Sequence, residues 1–383
     1  MPYALDIPGL SAWQNIRDQP YPAKPEGLAV PEWIFQASLS AWTPITVAAV
    51  YLVATHATNS RFGANKPKPA DLIKNSYGLS QAVLGHNILL AVYSAWTFVN
   101  VAARLGSYFG RSVLSGGAEG LVNAYCTVPI HDASRSGLGF YVWLFYISKY
   151  YEIVDSVILI LKGKPVSNLQ SYHHAGAMAC MWAAYRYSAS AVFLFLSFNS
   201  LVHSLMYTYY SMTALKLPFT GGLKRSMTTI QITQLVVGVQ LAAAYLFIRY
   251  NPLAYPQGAL PSPGRVLVTA TEHDLASKAP ASLGTSAFDG TSYNATALAA
   301  ALSSSTGIAS NTKEAAAVIL RSLTQSAGAD NKVSCVATSG QAFAVALNVT
   351  YLLPLIYLFV SFYIRSYKKK AAHAAAAKAA KAQ

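Results

Sequence analysis

Seven stretches of this chain run for about 20 residues or more with scarcely a charge, the length a helix needs to cross roughly 30 Å of hydrocarbon at about 1.5 Å per residue. Read between charged or Pro/Gly-rich breaks, they are residues 33–56, 80–104, 137–161, 166–186, 189–212, 226–249 and 341–365. Composition agrees: of 383 residues, 54% are hydrophobic and only 11% charged, with a mean hydropathy of +0.33, whereas a soluble domain carries about 25% charged residues. The expected fold class is an all-α integral membrane protein, seven transmembrane helices in a bundle.

A net charge of +14 would suggest nucleic acid as the partner of a soluble protein, but in a membrane protein such an excess reports orientation. With the amino terminus placed in the lumen, fifteen basic residues against the single acid Asp71 fall on the cytosolic side, and twelve basic residues against eleven acids on the lumenal side. That is the positive-inside pattern, and it predicts a multi-pass protein with a lumenal amino terminus and a cytosolic carboxyl terminus. Residues 1–32 lack the positive start and apolar run of a cleavable signal peptide, so the first span is expected to act as its own anchor.

The chain then divides into a lumenal segment (1–32), six helices (33–250), a long lumenal loop (251–340), a seventh helix (341–365) and a basic cytosolic tail (366–383) suited to anionic lipid. The loop is rich in Ala, Ser, Thr, Gly and Pro and is expected to be mostly irregular. Its sequon Asn294-Ala295-Thr296 fits a lumenal address, whereas Asn348-Val349-Thr350 lies inside the last span and is expected to be unusable. Three cysteines exclude a disulfide scaffold and a multi-cysteine metal cluster. The topology places Cys126 and Cys335 together in an oxidising lumen, where a disulfide is expected, and leaves Cys180 alone in the bilayer.

An ionisable side chain at mid-bilayer costs roughly 2.5 to 3.5 kcal/mol on insertion scales, so those present usually face the bundle interior and act on something. Lys149, Glu152 and Asp155 in the third run are spaced by three, line one helical stripe and can partly neutralise one another. The bland alternative is a buried ion network that only fixes helix register. The fourth run holds Gln170-Ser171-Tyr172-His173-His174, where Gln170 lies one turn from both histidines and the two neighbours point about 100° apart. Asn199, His203, Tyr207 and Tyr210 share a face of the fifth run, and Thr228, Gln231 and Gln234 form a third-residue stripe in the sixth. Counted from the cytosolic ends, Asp155, His173, His203 and Gln234 all lie 7 to 9 residues in, or roughly 10 to 14 Å at 1.5 Å per residue. Polar groups converging at one level point to a reaction chamber open to the cytosol.

A di-iron membrane oxygenase needs about eight histidines in spaced boxes, and His56, His86, His131, His273 and His373 lack that spacing. A retinal protein needs a lysine in the seventh span, which has none. A transporter or lipid-binding protein stays open, since polar midplane stripes also mark substrate pathways.

The ordered motifs Lys149-x-x-Glu152-x-x-Asp155, Leu161-Lys162-Gly163-Lys164, Gln170-x-x-His173-His174, Asn199-x-x-Val202-His203-x-x-Met206-Tyr207-x-Tyr209-Tyr210 and Thr228-x-x-Gln231-x-x-Gln234 resemble those of the ELO family of very-long-chain fatty acid elongases, the membrane 3-ketoacyl-CoA synthases. The resemblance covers the seven-span layout but not the long insert before the last span. The family's histidine box usually begins with His, where this chain has Gln170, as in part of the family; Gln cannot titrate, so the box chemistry must rest on His173 and His174.

The resemblance implies an acyltransferase of the endoplasmic reticulum membrane whose bundle encloses an acyl-chain tunnel. It would condense a long-chain or polyunsaturated acyl-CoA with malonyl-CoA to 3-oxoacyl-CoA, CO2 and CoA. It places an acyl-histidine role on His173 with His203 as its partner, and leaves His174 and Gln170 to orient the box. Asn199, Tyr207, Tyr210, Gln231 and Gln234 would bond thioester or enolate oxygens, and Lys149, Glu152 and Asp155 would position the histidines or the pantetheine arm. Lys162, Lys164, Lys216, Lys224 and Arg225 suit the phosphates of CoA, or serve only as topology charges. Cys180, two turns beyond His173, is too deep to be the acyl acceptor. No metal or redox cofactor is called for. The expected partners are the two CoA thioesters, the lipid bilayer and, by analogy, the reductases and dehydratase of an elongation cycle, with no nucleic acid and with homo-oligomers left open.

Overall fold

The computed structural model describes residues 16–17, 19–60, 76–134, 137–217, 221–250 and 333–368. The expectations for most of the 251–340 loop, for Asn294 and for the tail beyond residue 368 lie outside the described residues. Among these residues the protein is helical: α1 (Glu32–Leu39), α2 (Trp42–Asn59), α3 (Tyr77–Cys126), α4 (Leu138–Tyr151), α5 (Ile153–Leu161), α6 (Asn168–Arg186), α7 (Val192–Ala214), α8 (Gly221–Ala244) and α9 (Ser339–Tyr363), the last continued by a π turn, Ile364–Lys368.

Helices cover the apolar runs, but three of them, over Tyr77–Cys126, Leu223–Ala244 and Ser339–Tyr367, are by themselves long and apolar enough to cross a membrane. The pair α1 and α2 makes a fourth if its 70° bend belongs to one span. The other runs fall short for a physical reason: α4 and α5 are interrupted at Glu152, while α6 and α7 are diluted by the polar side chains that gather below.

Three boundaries differ from the sequence reading. The first run is bent because Pro44 has no N–H for the carbonyl of Ser40 and its ring crowds that carbonyl, so Ser40 turns to extended ψ 136°. The bend strips the last carbonyls of α1 of helical donors, and other helices replace them: Tyr146 Oη donates to Ser38 O at 2.6 Å and Trp182 Nε1 to Leu39 O at 2.7 Å. The second run does not end at Arg104 but continues to Cys126, kinked at Gly117 (φ 54°, ψ −132°), a conformation open to glycine and costly to any other residue. The third run divides into two helices that meet at Glu152, a residue that itself keeps helical φ −61° and ψ −14°.

The described chain falls into two compact units, the first from Met1–Pro20, Leu105–Pro129 and Tyr245–Ser339, the second from Tyr21–Arg104, Ile130–Ala244 and Gly340–Gln383. In the first, Cys126 and Cys335 are disulfide-bonded with their Cα atoms 4.8 Å apart. Beside them β1 (Arg249–Tyr250) pairs antiparallel with β2 (Val333–Ser334), and the Tyr125 and Tyr245 rings pack 4.4 Å apart. In the second unit, α6 packs against α2 and α4, and α7 against α8. Leu235 and Val239 of α8 and Leu352 and Leu355 of α9 form a core patch on which Leu169, Tyr172 and Phe195 close. Cys180 is a free, buried thiol. Asn348 is buried too, its amide donating to Ala344 O at 2.8 Å and Cys180 O at 3.3 Å, so it is not presented for glycosylation.

At the far end of α6 from its histidines, His131 anchors the connection between α3 and α4. Its Nε2 lies against Tyr185 O, and its Nδ1 is 2.6 Å from Ser188 Oγ. A carbonyl only accepts, so Nε2 carries the hydrogen and Nδ1 accepts from the serine. Burial, opposed by the Tyr185 carbonyl and aided by Arg186, pulls this imidazole down to about 4 from an ordinary 6.5. The folded state therefore prefers the neutral ring, and the stability it lends is complete above pH 6.5 and drains away as pH falls toward 4. Melting temperature in detergent is expected to drop between pH 7.5 and 5, and His131→Gln to flatten that drop; an unchanged slope in the variant would mean that another group is responsible.

Candidate functional site

The break between α4 and α5 places a charged pair in the interior of the second unit. Lys149, in the last turn of α4, and Glu152, at the break, have side chains each only 4% exposed, with Nζ 2.6 Å from Oε1. Lys149 also donates to Asn199 Oδ1 of α7 at 2.9 Å and lies 4.1 Å over the Phe145 ring. A buried carboxylate is tolerable only when paired and hydrogen-bonded, and Lys149 meets that need on one oxygen.

Helix α6 starts cleanly because Ser167 caps it, its hydroxyl accepting from Gln170 N at 3.2 Å. The cap fixes the register that turns the two histidines to different neighbours. His174 Nδ1 faces Glu152 Oε2 at 3.9 Å, and its ring meets Tyr51 edge-on. His173 Nδ1 is 3.0 Å from Tyr351 Oη of α9. From α7, His203 Nδ1 approaches Glu152 Oε1 at 3.7 Å. Glu152 is thus the hub: one oxygen serves Lys149 and His203, the other looks at His174. Glu152 Oε2 and His174 Nδ1 are buried without a hydrogen-bond partner among the described residues, a costly state for a polar group.

Within the stripe of three ionisable residues, Lys149 and Glu152 neutralise each other as the spacing suggests, and Asp155 does not take part. Asp155 belongs to a second cluster, in which His86 Nε2 of α3 lies 2.9 Å from Oδ1 and Tyr207 Oη donates to Oδ2 at 2.6 Å. His86 stacks on Tyr151, with Nδ1 3.3 Å from its hydroxyl. The Tyr207 hydrogen is therefore held by Asp155 rather than free for a substrate oxygen. Gln170 reaches Ser156 Oγ at 3.1 Å, and Ser156 in turn pairs with Tyr51 Oη at 2.8 Å. Tyr210 packs on Tyr207, Gln231 donates to Met206 Sδ at 3.1 Å, and Gln234 does not join either cluster.

His86, Tyr51, Ser156 and Tyr351 were not among the residues singled out in the sequence. Two of them were within reach, since His86 lies nine residues inside the start of α3 and Tyr51 eight before the end of α2, the depth at which the other polar groups collect. Nothing local marks Tyr351, one of several aromatics in an apolar helix.

Donor atoms of Glu152, His173 and His203 lie within 4.8 Å of one another, close enough to ligate a metal ion. The ammonium of Lys149 on Glu152 Oε1 already supplies the positive charge, and it would repel a divalent cation at that oxygen. The set is better suited to holding and passing a proton between imidazole and carboxylate. At the helix ends, Lys162 and Lys164 flank the α5–α6 turn, where burial and then the neighbouring Lys164 hold Lys162 below its ordinary value. Arg225 Nε donates to Tyr363 Oη at 2.8 Å, and Lys224 O accepts from Tyr367 at 3.3 Å.

Comparison with known proteins agrees with the motifs. Residues 36–375 match the model of a family described as ELO, the GNS1/SUR4 family. The chain is 32% identical over 196 residues to fatty acid elongase 2 of Trypanosoma cruzi, covering 49% of this chain and 64% of that one. It is 35% identical over 141 residues to fatty acid elongase 2 of Trypanosoma brucei brucei, covering 35% and 50%. It is 28% identical over 163 residues to long chain fatty acid elongase 1 of Caenorhabditis elegans, covering 43% and 54%. The matched segments span half to just under two thirds of these relatives.

Proposed function

This chain belongs to the ELO, or GNS1/SUR4, family of membrane-embedded proteins, and from that premise we infer that it condenses a long-chain or polyunsaturated acyl-CoA with malonyl-CoA to the 3-oxoacyl-CoA two carbons longer. The observation that carries the reading is the buried group of His173, His203 and Glu152, with Lys149 beside it.

His173 serves as acyl acceptor. Its ring lone pair forms an N–C bond to the thioester carbon as the C–S bond breaks, the electron pair leaving on the CoA sulfur, which takes a proton from water at the cytosolic mouth. Loss of CO2 from the malonyl thioester leaves its C–C bonding pair as an enolate. The enolate forms the new C–C bond as the N–C bond breaks, returning the pair to His173. His203, bridged to Glu152, is the neighbouring acid or base, and the Lys149 ammonium and the Asn199 amide lie where an enolate or oxyanion needs stabilising. His174 and Gln170 orient the box. Tyr207 acts with Asp155, while Tyr210, Gln231 and Gln234 line the chamber, and Lys162, Lys164, Lys224 and Arg225 receive the CoA phosphates.

In the same reading seven spans enclose an acyl tunnel. The spans and chamber occupy residues 33–250 and 341–365, with residues 1–32 and 251–340 lumenal and 366–383 cytosolic in the endoplasmic reticulum. The other enzymes of the elongation cycle are its partners.

Membranes containing the protein are to be incubated with labelled malonyl-CoA and a panel of saturated and polyunsaturated acyl-CoAs without NADPH. Accumulation of 3-oxo product from some of them is expected. No product from folded protein across the panel would sink the reading and favour a transport or binding role.

A further inference from the structure

Tyr351 sits in an apolar helix, yet its hydroxyl makes two polar contacts with one residue. It donates to His173 O at 3.0 Å and lies 3.0 Å from His173 Nδ1. A tyrosine has one hydroxyl hydrogen, and a carbonyl can only accept. Both contacts are hydrogen bonds together only when His173 Nδ1 carries a hydrogen and donates it to Tyr351 Oη. The neutral ring then has its lone pair on Nε2. The geometry points to Tyr351 as the residue that sets the tautomer and orientation of His173 and so selects Nε2 as the nucleophile, a role that rests on the acyl-histidine reading above.

The surroundings hold Tyr351 for this purpose from several sides. Its ring stacks on Tyr172 at 5.5 Å and 25°, and the Tyr172 hydroxyl donates to Tyr351 O at 3.1 Å. That carbonyl neighbours the one of Thr350, which Pro354 leaves without its helical donor. One turn along α6 from His173, Gly176 leaves the room: a Cβ there would lie 2.2 Å from Tyr351 Cε2 and 2.4 Å from Cδ2. A side chain at 176 is therefore incompatible with Tyr351 in this place.

During acylation the Nδ1 hydrogen stays on the ring. The acyl-imidazolium formed when Nε2 bonds the thioester carbon keeps its N–H on Tyr351 Oη, and the ring returns to the same neutral tautomer when the enolate displaces it. No proton leaves His173 in either half, so Tyr351 acts by position and not by titration.

The test reads tautomer and rate separately. In protein labelled with 15N-histidine, the His173 signal, identified by its loss in His173→Ala, is expected to show a protonated Nδ1 and an unprotonated Nε2; the reverse pattern overturns the inference without any turnover being measured. Tyr351→Phe keeps the ring packing and removes the hydroxyl, so an unchanged melting temperature and KM are expected with kcat lower by about 10- to 100-fold, the scale on which a misplaced reacting group is felt. Gly176→Ala is expected to give a comparable kcat loss by displacing the same ring. Condensation surviving in His173→Ala would remove the acyl-histidine reading itself. An inactive His173→Ala alongside Tyr351→Phe within about twofold of the parent protein would remove only the role of Tyr351.

Discussion

With His173 replaced by Ala, malonyl-dependent formation of 3-oxo product is expected to fall by about 10⁴-fold or more, the scale seen when an enzyme loses its nucleophile. The acyl-enzyme is expected to vanish with it. Labelled acyl-CoA supplied without malonyl-CoA should leave acyl label on the denatured parent protein and none on the variant. His203→Ala should behave differently, because His203 meets Glu152 through Nδ1 at 3.7 Å and, in the proposed mechanism, is the proton-handling neighbour rather than the acceptor. Loss of such a group costs about 10²- to 10⁴-fold, and slow acylation should remain measurable. Equal acyl labelling of His173→Ala and parent protein would place the acceptor elsewhere, and the buried thiol of Cys180 is the first alternative to examine.

What makes this pair of variants informative is that both side chains are polar groups held well inside helices. His173 lies one turn into α6 behind the Ser167 cap, and His203 sits at the middle of α7. Neither fills a large apolar volume, so truncation opens little cavity. An inactive but normally melting protein is the expected result.

Most of the residues that gather at the candidate site were legible in the sequence for one reason: charge and amide groups are expensive in lipid, and evenly spaced ones declare a face. Spacing by three puts Lys149, Glu152 and Asp155 on one stripe, but which neighbour each carboxylate takes depends on side chains from α3 and α7 that the spacing within one helix cannot reveal. His86 shows the complementary failure. Tested against metal-box spacing it looked isolated, whereas depth within its span would have placed it opposite Asp155. The 70° bend after α1 is written in Pro44, but a proline near the start of a helix is also tolerated without a bend, so its effect depends on Tyr146 and Trp182 supplying the missing donors. Tyr351 was illegible altogether, because its meaning lies in Gly176, which reads as an ordinary small residue of a membrane helix until the tyrosine lies against it.

The second large effect concerns Lys149 and Glu152. Both are buried, and each neutralises the other at 2.6 Å. Removing one partner leaves an uncompensated charge in a low-dielectric interior, which costs about 3 to 5 kcal/mol, whereas replacing both with neutral groups of similar size is close to neutral or stabilising. Lys149→Met and Glu152→Gln are each expected to lower the melting temperature sharply, and the double variant to recover most of the loss. Activity should not follow stability. Glu152 also faces His203 at 3.7 Å and His174 at 3.9 Å, so the recovered double variant, with a folded chamber and no carboxylate hub, should remain inactive in condensation. If the pair were only a device for fixing helix register, restoring the fold would restore turnover in proportion. A double-mutant cycle that measures melting and turnover on the same four proteins decides between the two: coupling in both quantities means that the pair is structural, and coupling in stability alone means that Glu152 works on the histidines.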